Sequence, residues 1–376
     1  MSRKKIGLIF SYDEHWIGGT YYIINLVNAL NQLEDYQKPQ LIIFSNKKDF
    51  AILNDETEYR YLEFCLLDDN PRNKLFRVIN AISKKLFARK LVVKKYNKKI
   101  DVIFPYRNID YLNKIPSEKR IYWIPDFQEK HFPDFYSQEH LVNEKKRNTD
   151  IVMNSKKLVL SSYAALDDLK TYYPHYKTTP FVVHFAVTIP PISADPEVLT
   201  KFSLPSSFYF APNQFWQHKN HFIVIKAVKL LKDSGTTVTV AFSGKEHDYR
   251  SPGYADSLKQ LVIDLGLSEQ IKFLGFLDRK DQVSLMKLAK AIIQPSLFEG
   301  WSTVIEEAMA LNKLVIAADL DVNKEQLQEN GYFFQRNNEN DLAEIINQVN
   351  NAETVITYNY TEKKLAFARD FMQCLN

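Results

Sequence analysis

Short apolar runs recur along this chain, separated by longer stretches in which apolar residues return every three or four positions. The runs read as buried strands over 5–10, 41–44, 61–67, 101–105, 120–124, 150–154 and 180–185 in the first half. In the second half they fall at 208–212, 237–243, 271–275, 291–295 and 314–318. The intervening spacing predicts helices over 20–32, 156–172, 220–233, 255–265, 280–289, 303–311, 340–350 and 361–373. Apolar strands alternating with amphipathic helices are the pattern of a parallel sheet covered on both faces. Residues 186–206 break it with four prolines and little periodicity. We therefore expect an α/β protein of two Rossmann-like, doubly wound domains facing a central cleft. Residues 1–188 form the first domain, 189–206 the linker and 207–358 the second. The segment 359–376 is a C-terminal helix read as packing back across the cleft. Facing sheets put that cleft at the carboxyl ends of their strands.

Composition narrows the class. The 376 residues are 45% hydrophobic and 25% charged, which excludes a disordered chain. Two cysteines, Cys65 and Cys374, exclude a disulfide scaffold and fit a reducing compartment. No apolar run approaches the ~18 residues of a membrane span. The opening MSRKKIGLIFSYDEHW turns acidic too early for a signal peptide, so the expectation is a cytoplasmic protein. Net charge is +4, but residues 72–99 alone hold eleven Lys or Arg and no acid. Leu75, Ile79, Ile82, Leu86 and Val93 recur there at helical spacing. A solvated surface helix and a patch for an anionic membrane surface or phosphorylated acceptor both fit. No nucleic-acid module accompanies it, so nucleic acid is not an expected partner.

Glycine is scarce: ten residues, about a third of the ordinary share of ~7%. Each glycine therefore points to a tight turn or a close approach. The richest constellation is 294–311, QPSLFEGWSTVIEEAMAL. A strand ends at Pro295, Glu299 and Gly300 lie in the loop, and Thr303-Val-Ile-Glu306 has the form of a capping box. A helix N-terminus suits a diphosphate, with Ser302 and Thr303 adding hydroxyls. Glu299 in the loop and Glu307 one turn into the helix would clasp the two ends of a nucleotide sugar. Glu306 reads as the cap partner.

The Glu299-x7-Glu307 spacing, with Pro-Ser before it and Ala-Met-Ala after, resembles the signature of retaining GT-B glycosyltransferases of glycosyltransferase family 4. The likeness runs over most of the chain. Gly18-Gly19-Thr20 resembles the family's first glycine loop, and APNQFWQHKNH (211–221) the segment carrying its donor-phosphate lysine, here Lys219. FSGK (242–245) and FLGFL (273–277) resemble two further strand ends of the donor pocket. The form FEGWST is similar to that of members building bacterial surface polysaccharide, such as O-antigen or capsule. The resemblance implies a retaining hexosyltransferase that moves a sugar from an NDP-sugar to a glycan or lipid-linked saccharide. It implies Glu299, Asp126 and Lys219 as catalytic. It places Gly18, Gly19, Thr20, Asn213, Gln214, Gly244, Lys245, Gly275, Phe276, Gly300, Trp301, Ser302, Thr303 and Glu307 around the donor, with Asp126, Gln128 and His131 on the acceptor side.

Three positions depart from that pattern. Gln214 stands where many members have Arg, so a cation for the leaving diphosphate is missing. Pro125 precedes Asp126 where many have His, which makes His131 the candidate replacement. Ser302-Thr303-Val304 replaces Gly-Leu-Pro. Asp319-Leu-Asp321 reads as polar caps after a strand, and no metal or other cofactor is expected beyond the NDP-sugar co-substrate. An NDP-sugar epimerase or phosphorylase on the same fold, and a non-catalytic sugar-binding partner protein, remain alternatives. A dehydrogenase is not favoured, because no G-x-G-x-x-G follows a strand.

Overall fold

The first strand shows how the chain builds its layers. In β1 (Lys5–Ile9) the side chains of Ile6, Leu8 and Ile9 are all buried, so both sheet faces are covered. Gly7 leaves room for the Phe44 ring of the neighbouring strand, which a Cβ would meet at 2.8 Å. The computed structural model describes residues 3–13, 17–67, 74–87, 99–109, 112–248, 250–352 and 356–375.

After β1 come α1 (Ile17–Leu30), β2 (Gln40–Ser45), α2 (Lys47–Asp55), β3 (Leu62–Leu66), α3 (Lys74–Phe87) and β4 (Val102–Phe104). Then follow β5 (Ile121–Ile124), α4 (Gln128–His131), α5 (Gln138–Asn154), β6 (Lys157–Leu160), α6 (Tyr163–Tyr172) and β7 (Thr179–Val182). These strands form parallel sheets of order β3-β2-β1-β4 and β5-β6-β7. A parallel bridge between Ile103 and Arg120 and the bond from Tyr106 N to Ile121 O join them edge to edge.

A short α7 (Glu197–Lys201) lies in the connection. The second unit runs β8 (Tyr209–Pro212), α8 (His221–Asp233), β9 (Val240–Ser243), α9 (Tyr254–Asp264), β10 (Ile271–Phe273), α10 (Arg279–Leu288) and β11 (Ala291–Gln294). It continues with α11 (Thr303–Ala310), β12 (Val315–Ala318), α12 (Asp321–Leu327), β13 (Tyr332–Phe334) and α13 (Glu339–Asn350). Its sheet is parallel, of order β10-β9-β8-β11-β12-β13. The order reverses beside β8, which opens a crevice at the carboxyl ends of β8 and β11. The last helix, α14 (Tyr360–Gln373), leaves this unit and packs on the first. Phe367 meets Tyr22 of α1 edge-on at 5.6 Å, and Phe371 meets Phe104 of β4 at 5.1 Å. Lys4 and Lys157 donate to the carbonyls of Leu375 and Cys374. Both aromatic anchors are fully buried, so the two units share one continuous core.

Several expectations need correction. The run 150–154 is not a strand but the end of α5, a mostly polar helix whose Ile151 and Val152 alone turn inward there. The strand is β6 at 157–160, inside the stretch expected to be helical. Helix α6 starts only after Ser162, whose hydroxyl caps Ala165 N at 3.0 Å. α2, α12 and β13 escaped the pattern because they are short or weakly periodic. In the basic segment, α3 is helical as its spacing predicts, and Ile82 on it is exposed. Residues 72, 73 and 88–98, Val93 among them, lie outside the described residues. No described helix is long and apolar enough to cross a membrane.

Candidate active site

The seam between the two units gathers charge around Glu299. Lys219 closes a short 3-10 turn after β8, just before Asn220 enters the left-handed region with φ 52° and opens α8. Its ammonium lies 2.5 Å from Glu299 Oε1, and both side chains are largely buried. Gln294, the last residue of β11, donates to the same oxygen at 2.6 Å. Asn213, after β8, donates in turn to Gln294 Oε1 at 3.1 Å. Adjacent strand ends thus fix the Glu299 carboxylate through a lysine and a relay of amides. Sequence reasoning missed Gln294, although its place at a strand end two residues before Ser296 was a usable signal.

Asp126, just past the end of β5, faces this pair from the first unit. Its carboxyl lies against Gly300, where a Cβ would come within 2.5 Å of Oδ2. Gly300 is therefore glycine because of a contact across the seam. Burial pushes the Asp126 pKa up to about 6, with Glu129, Glu299 and Asp168 adding to the rise and the Gln128 N–H opposing it. The His131 pKa is raised, chiefly by its hydrogen bond to Asp168, which lies 2.8 Å away. The His131 ring packs on Phe298 of the second unit, centroids 4.9 Å apart. Gln128 accepts from the Tyr136 hydroxyl at 2.5 Å. His218 is a buried ring whose pKa burial pushes down to about 2.

Helix α11 supplies the other end of the crevice. Its cap is Ser302, which accepts from Ile305 N at 3.3 Å. The expected capping box from Thr303 to Glu306 does not form, because Glu306 is drawn into the joint between the units. There it accepts from Trp301 Nε1, Gln326 Nε2 and the Tyr360 hydroxyl. Trp301 follows it inward, also donating to Phe185 O and stacking on His184 at 4.3 Å. Its indole is thus committed to the joint between the units. Gln326 holds both the N–H and the carbonyl of Ser302, leaving the amides of Thr303 and Val304 as the first-turn donors still open among the described residues. Glu307 faces the crevice and pairs with Arg279 Nη1 at 2.6 Å, with Gln282 at 3.4 Å. Arg279 was missed too. It opens α10 behind its capping residue Asp278, at the carboxyl end of β10.

The remaining candidates separate. Gln214 Oε1 accepts from Lys245 N, and the Lys245 ammonium lies 5.4 Å from the ring of exposed Phe276. Gly244 sits so close to the Asn213 carbonyl that no Cβ would fit, and its N–H donates to Gly275 O. Gly275 takes φ 69°. Gly18 and Gly19 correct the expected glycine loop: both lie in the first turn of α1, and space around Gly18 is open. Thr20 accepts from Asp13 N at 3.0 Å, so it braces the loop after β1. Asp319 pairs with Arg336. No metal-ligating cluster of His, Cys, Asp or Glu occurs among the described residues.

Residues 202–364 match the family described as glycosyl transferases group 1. A 143-residue stretch is 30% identical to the O-antigen chain mannosyltransferase RfbU of Salmonella typhimurium, covering 38% of each chain. The match therefore spans well under half of that relative. A glycosyltransferase from Rickettsia africae superposes with TM-score 0.62 at 17% identity, covering 100% of this chain and 95% of that one. HepE from Anabaena, in complex with UDP and glucose, gives 0.60 at 17% identity over 99% and 94%. At that identity the likeness establishes the fold, which is GT-B.

Proposed function

We propose that the protein is a retaining hexosyltransferase that moves a sugar from an NDP-sugar to a saccharide or lipid-linked glycan of a surface polysaccharide. The observation that carries this reading is the Lys219–Glu299 pair held at the carboxyl ends of β8 and β11 and faced across the seam by Asp126. The group 1 match, the UDP and glucose bound by HepE, and the activity in RfbU's name support it. Lys219 and the amides of Thr303 and Val304 would receive the charge that develops on the leaving diphosphate. Such preorganised donors are commonly the largest catalytic contribution. They also make up for the cation absent at Gln214. Glu299 would orient hydroxyls of the transferred sugar, and Glu307 the ribose. Lys245 and Phe276 lie on the rim for the base.

In the step itself, an acceptor hydroxyl attacks the anomeric carbon on the face the diphosphate leaves. The C–O bond to phosphate breaks as the new glycosidic bond forms, and the hydroxyl proton passes to the departing phosphate oxygen. No residue need occupy the missing histidine's place, and no metal is required. The basic segment 72–99 would hold the enzyme at an anionic cytoplasmic membrane face.

The test is a melting screen with UDP-, GDP-, dTDP- and CMP-sugars, because a ligand selective for the folded state raises its stability. Transfer to glycan acceptors follows with the nucleotide that protects. Glu299→Ala, still folded and still melting cooperatively, is expected to lose about 100-fold or more in turnover. An unchanged rate in that variant rejects the reading. Sugar isomerisation without acceptor selects the epimerase instead. Failure to pellet with phosphatidylglycerol vesicles would remove the membrane role.

A further inference from the structure

The first unit carries a cavity of about 860 Å³ at the carboxyl ends of β1 and β4, where Ser11 and Arg107 follow those strands. The sheet order reverses at that point, with β2 on one side of β1 and β4 on the other, the usual place for a ligand crevice. Its volume suits one or two sugar rings. Trp123 gives an aromatic wall fixed by stacking on Tyr22 at 4.2 Å. Pro125 lines it too, and the next residue in the chain is Asp126.

Its charged groups are unevenly engaged. Arg107, Arg120 and Arg147 line it against two acids, Asp13 and Asp150. Arg120 is committed to the fold: it donates to the carbonyls of Ile115 and Asn113, both at 2.7 Å, and lies over Tyr106. Arg147 shares Glu144 at 3.1 Å, a half-exposed pair that leaves part of its fork open. Arg107 reaches Ser11 Oγ only at 3.5 Å. Desolvation and the facing Arg147 both hold its pKa below the ordinary value, while Asp13 opposes them. Arg107, without an ion pair among the described residues, and Arg147, whose fork is only partly used by Glu144, form a site that an anion would complete, and their planar forks match a phosphate or carboxylate in particular.

We propose that this cavity binds the acceptor through an anionic group, a phosphate or a carboxylate, clamped between Arg107 and Arg147. The inference rests on the glycosyltransferase reading and assigns the acceptor's chemical class. An acceptor seated there presents a neighbouring hydroxyl to the Asp126–Glu299 seam. Phosphate would come from a lipid-linked or sugar phosphate, and carboxylate from a uronic acid.

Affinities of the full-length protein for mannose 1-phosphate, methyl glucuronide and methyl glucoside test this, measured by calorimetry with the nucleotide that protects in the melting screen at saturation to block the donor crevice. At least one charged probe is expected to bind tenfold or more tightly than methyl glucoside. Arg107→Gln and Arg147→Gln should each erase that preference, and Arg107→Lys should restore part of it. Arg60→Gln, removing an exposed charge elsewhere, should leave it intact. Preference for mannose 1-phosphate identifies a phosphate, and preference for the glucuronide a carboxylate. Equal binding of all three probes, no binding of the charged ones, or a preference surviving Arg107→Gln overturns the proposal. Nucleotide affinity is read separately: its absence for all four nucleotide classes counts against the transferase reading, whatever the cavity binds.

Discussion

Glu306 and Glu307 are neighbours on α11, both buried, and burial raises the pKa of both. One residue step of about 100° turns them toward different parts of the molecule. Glu306 faces the joint and its hydrogen bonds come from neutral donors, Trp301 at 3.1 Å, Gln326 at 2.9 Å and the Tyr360 hydroxyl at 2.5 Å, with the Lys363 charge acting on it from outside that cage. Tyr360 also accepts from Val187 N in the connection and begins α14, which packs on the first unit. Glu307 faces the crevice and is met by a cation, Arg279. Burial and acidity are the same for the two, so neither property marks a ligand site. The partner does. A cage of neutral donors fixes one geometry and ties four segments together, whereas a partly exposed arginine can be shared with an incoming ligand.

Breaking the cage should have the largest effect. Glu306→Ala opens a cavity and deprives the Tyr360 hydroxyl of its acceptor, at a cost of about 4 kcal/mol. Glu306→Gln, which keeps the volume, should recover more than half of that. Denaturant titration measures both. Nucleotide affinity of the folded fraction should change little. A stable Glu306→Ala protein with weakened nucleotide binding would reverse the assignment of the two glutamates.

Asp126 is a third carboxylate, partly buried at the seam and held by the Gln128 N–H at 3.0 Å, and desolvation lifts its pKa to about 6. Between about pH 4 and 6 the folded form keeps a proton that the unfolded chain has lost. The stabilisation is thus complete below the unfolded value of 3.8 and disappears as pH rises through 6. Wild type should lose up to about 3 kcal/mol over that range relative to Asp126→Asn, which cannot titrate. The difference between the two proteins isolates this group from carboxylates with lowered values, such as Asp35 and Asp278, which slope the other way. Parallel stability curves from pH 4 to 7 would show that Asp126 is solvated in solution.

Local signals in the sequence reached the strand–loop–helix at 294–311 and Lys219, because each lies within a few residues of a strand end. They did not reach pairings made by the sheet order. Arg279 meets Glu307, and Gln326 meets Glu306, only because α10 and α12 flank α11 in space. Glu306 was misassigned for the same reason: a local capping box lost to tertiary donors. Gly300 was picked out by scarcity and by the family resemblance, and its cause, the Asp126 carboxyl, lies in the other unit. Helix α5 was invisible because most of its residues face water, so the two inward residues at its end, Ile151 and Val152, mimicked a strand.

The smallest effect should come at Glu307, and it decides what the comparison means. Were Glu307 merely structural, replacing a carboxylate that burial disfavours by a neutral isostere would be neutral or stabilising, as for other buried pairs. The partner left behind, Arg279, is a third exposed and can find water. Glu307→Gln is therefore expected to shift stability by less than about 1 kcal/mol. If the carboxylate accepts from the ribose, the same change should raise the donor KM about tenfold, or roughly 1.4 kcal/mol, with kcat nearly unchanged. Arg279→Gln and the double variant complete a cycle. A penalty in the double variant smaller than the sum of the singles means that the pair acts as one unit on the nucleotide. Full additivity means that each touches the ligand separately. An unaltered KM in Glu307→Gln would place Glu307 beside Glu306 as a residue of the fold alone.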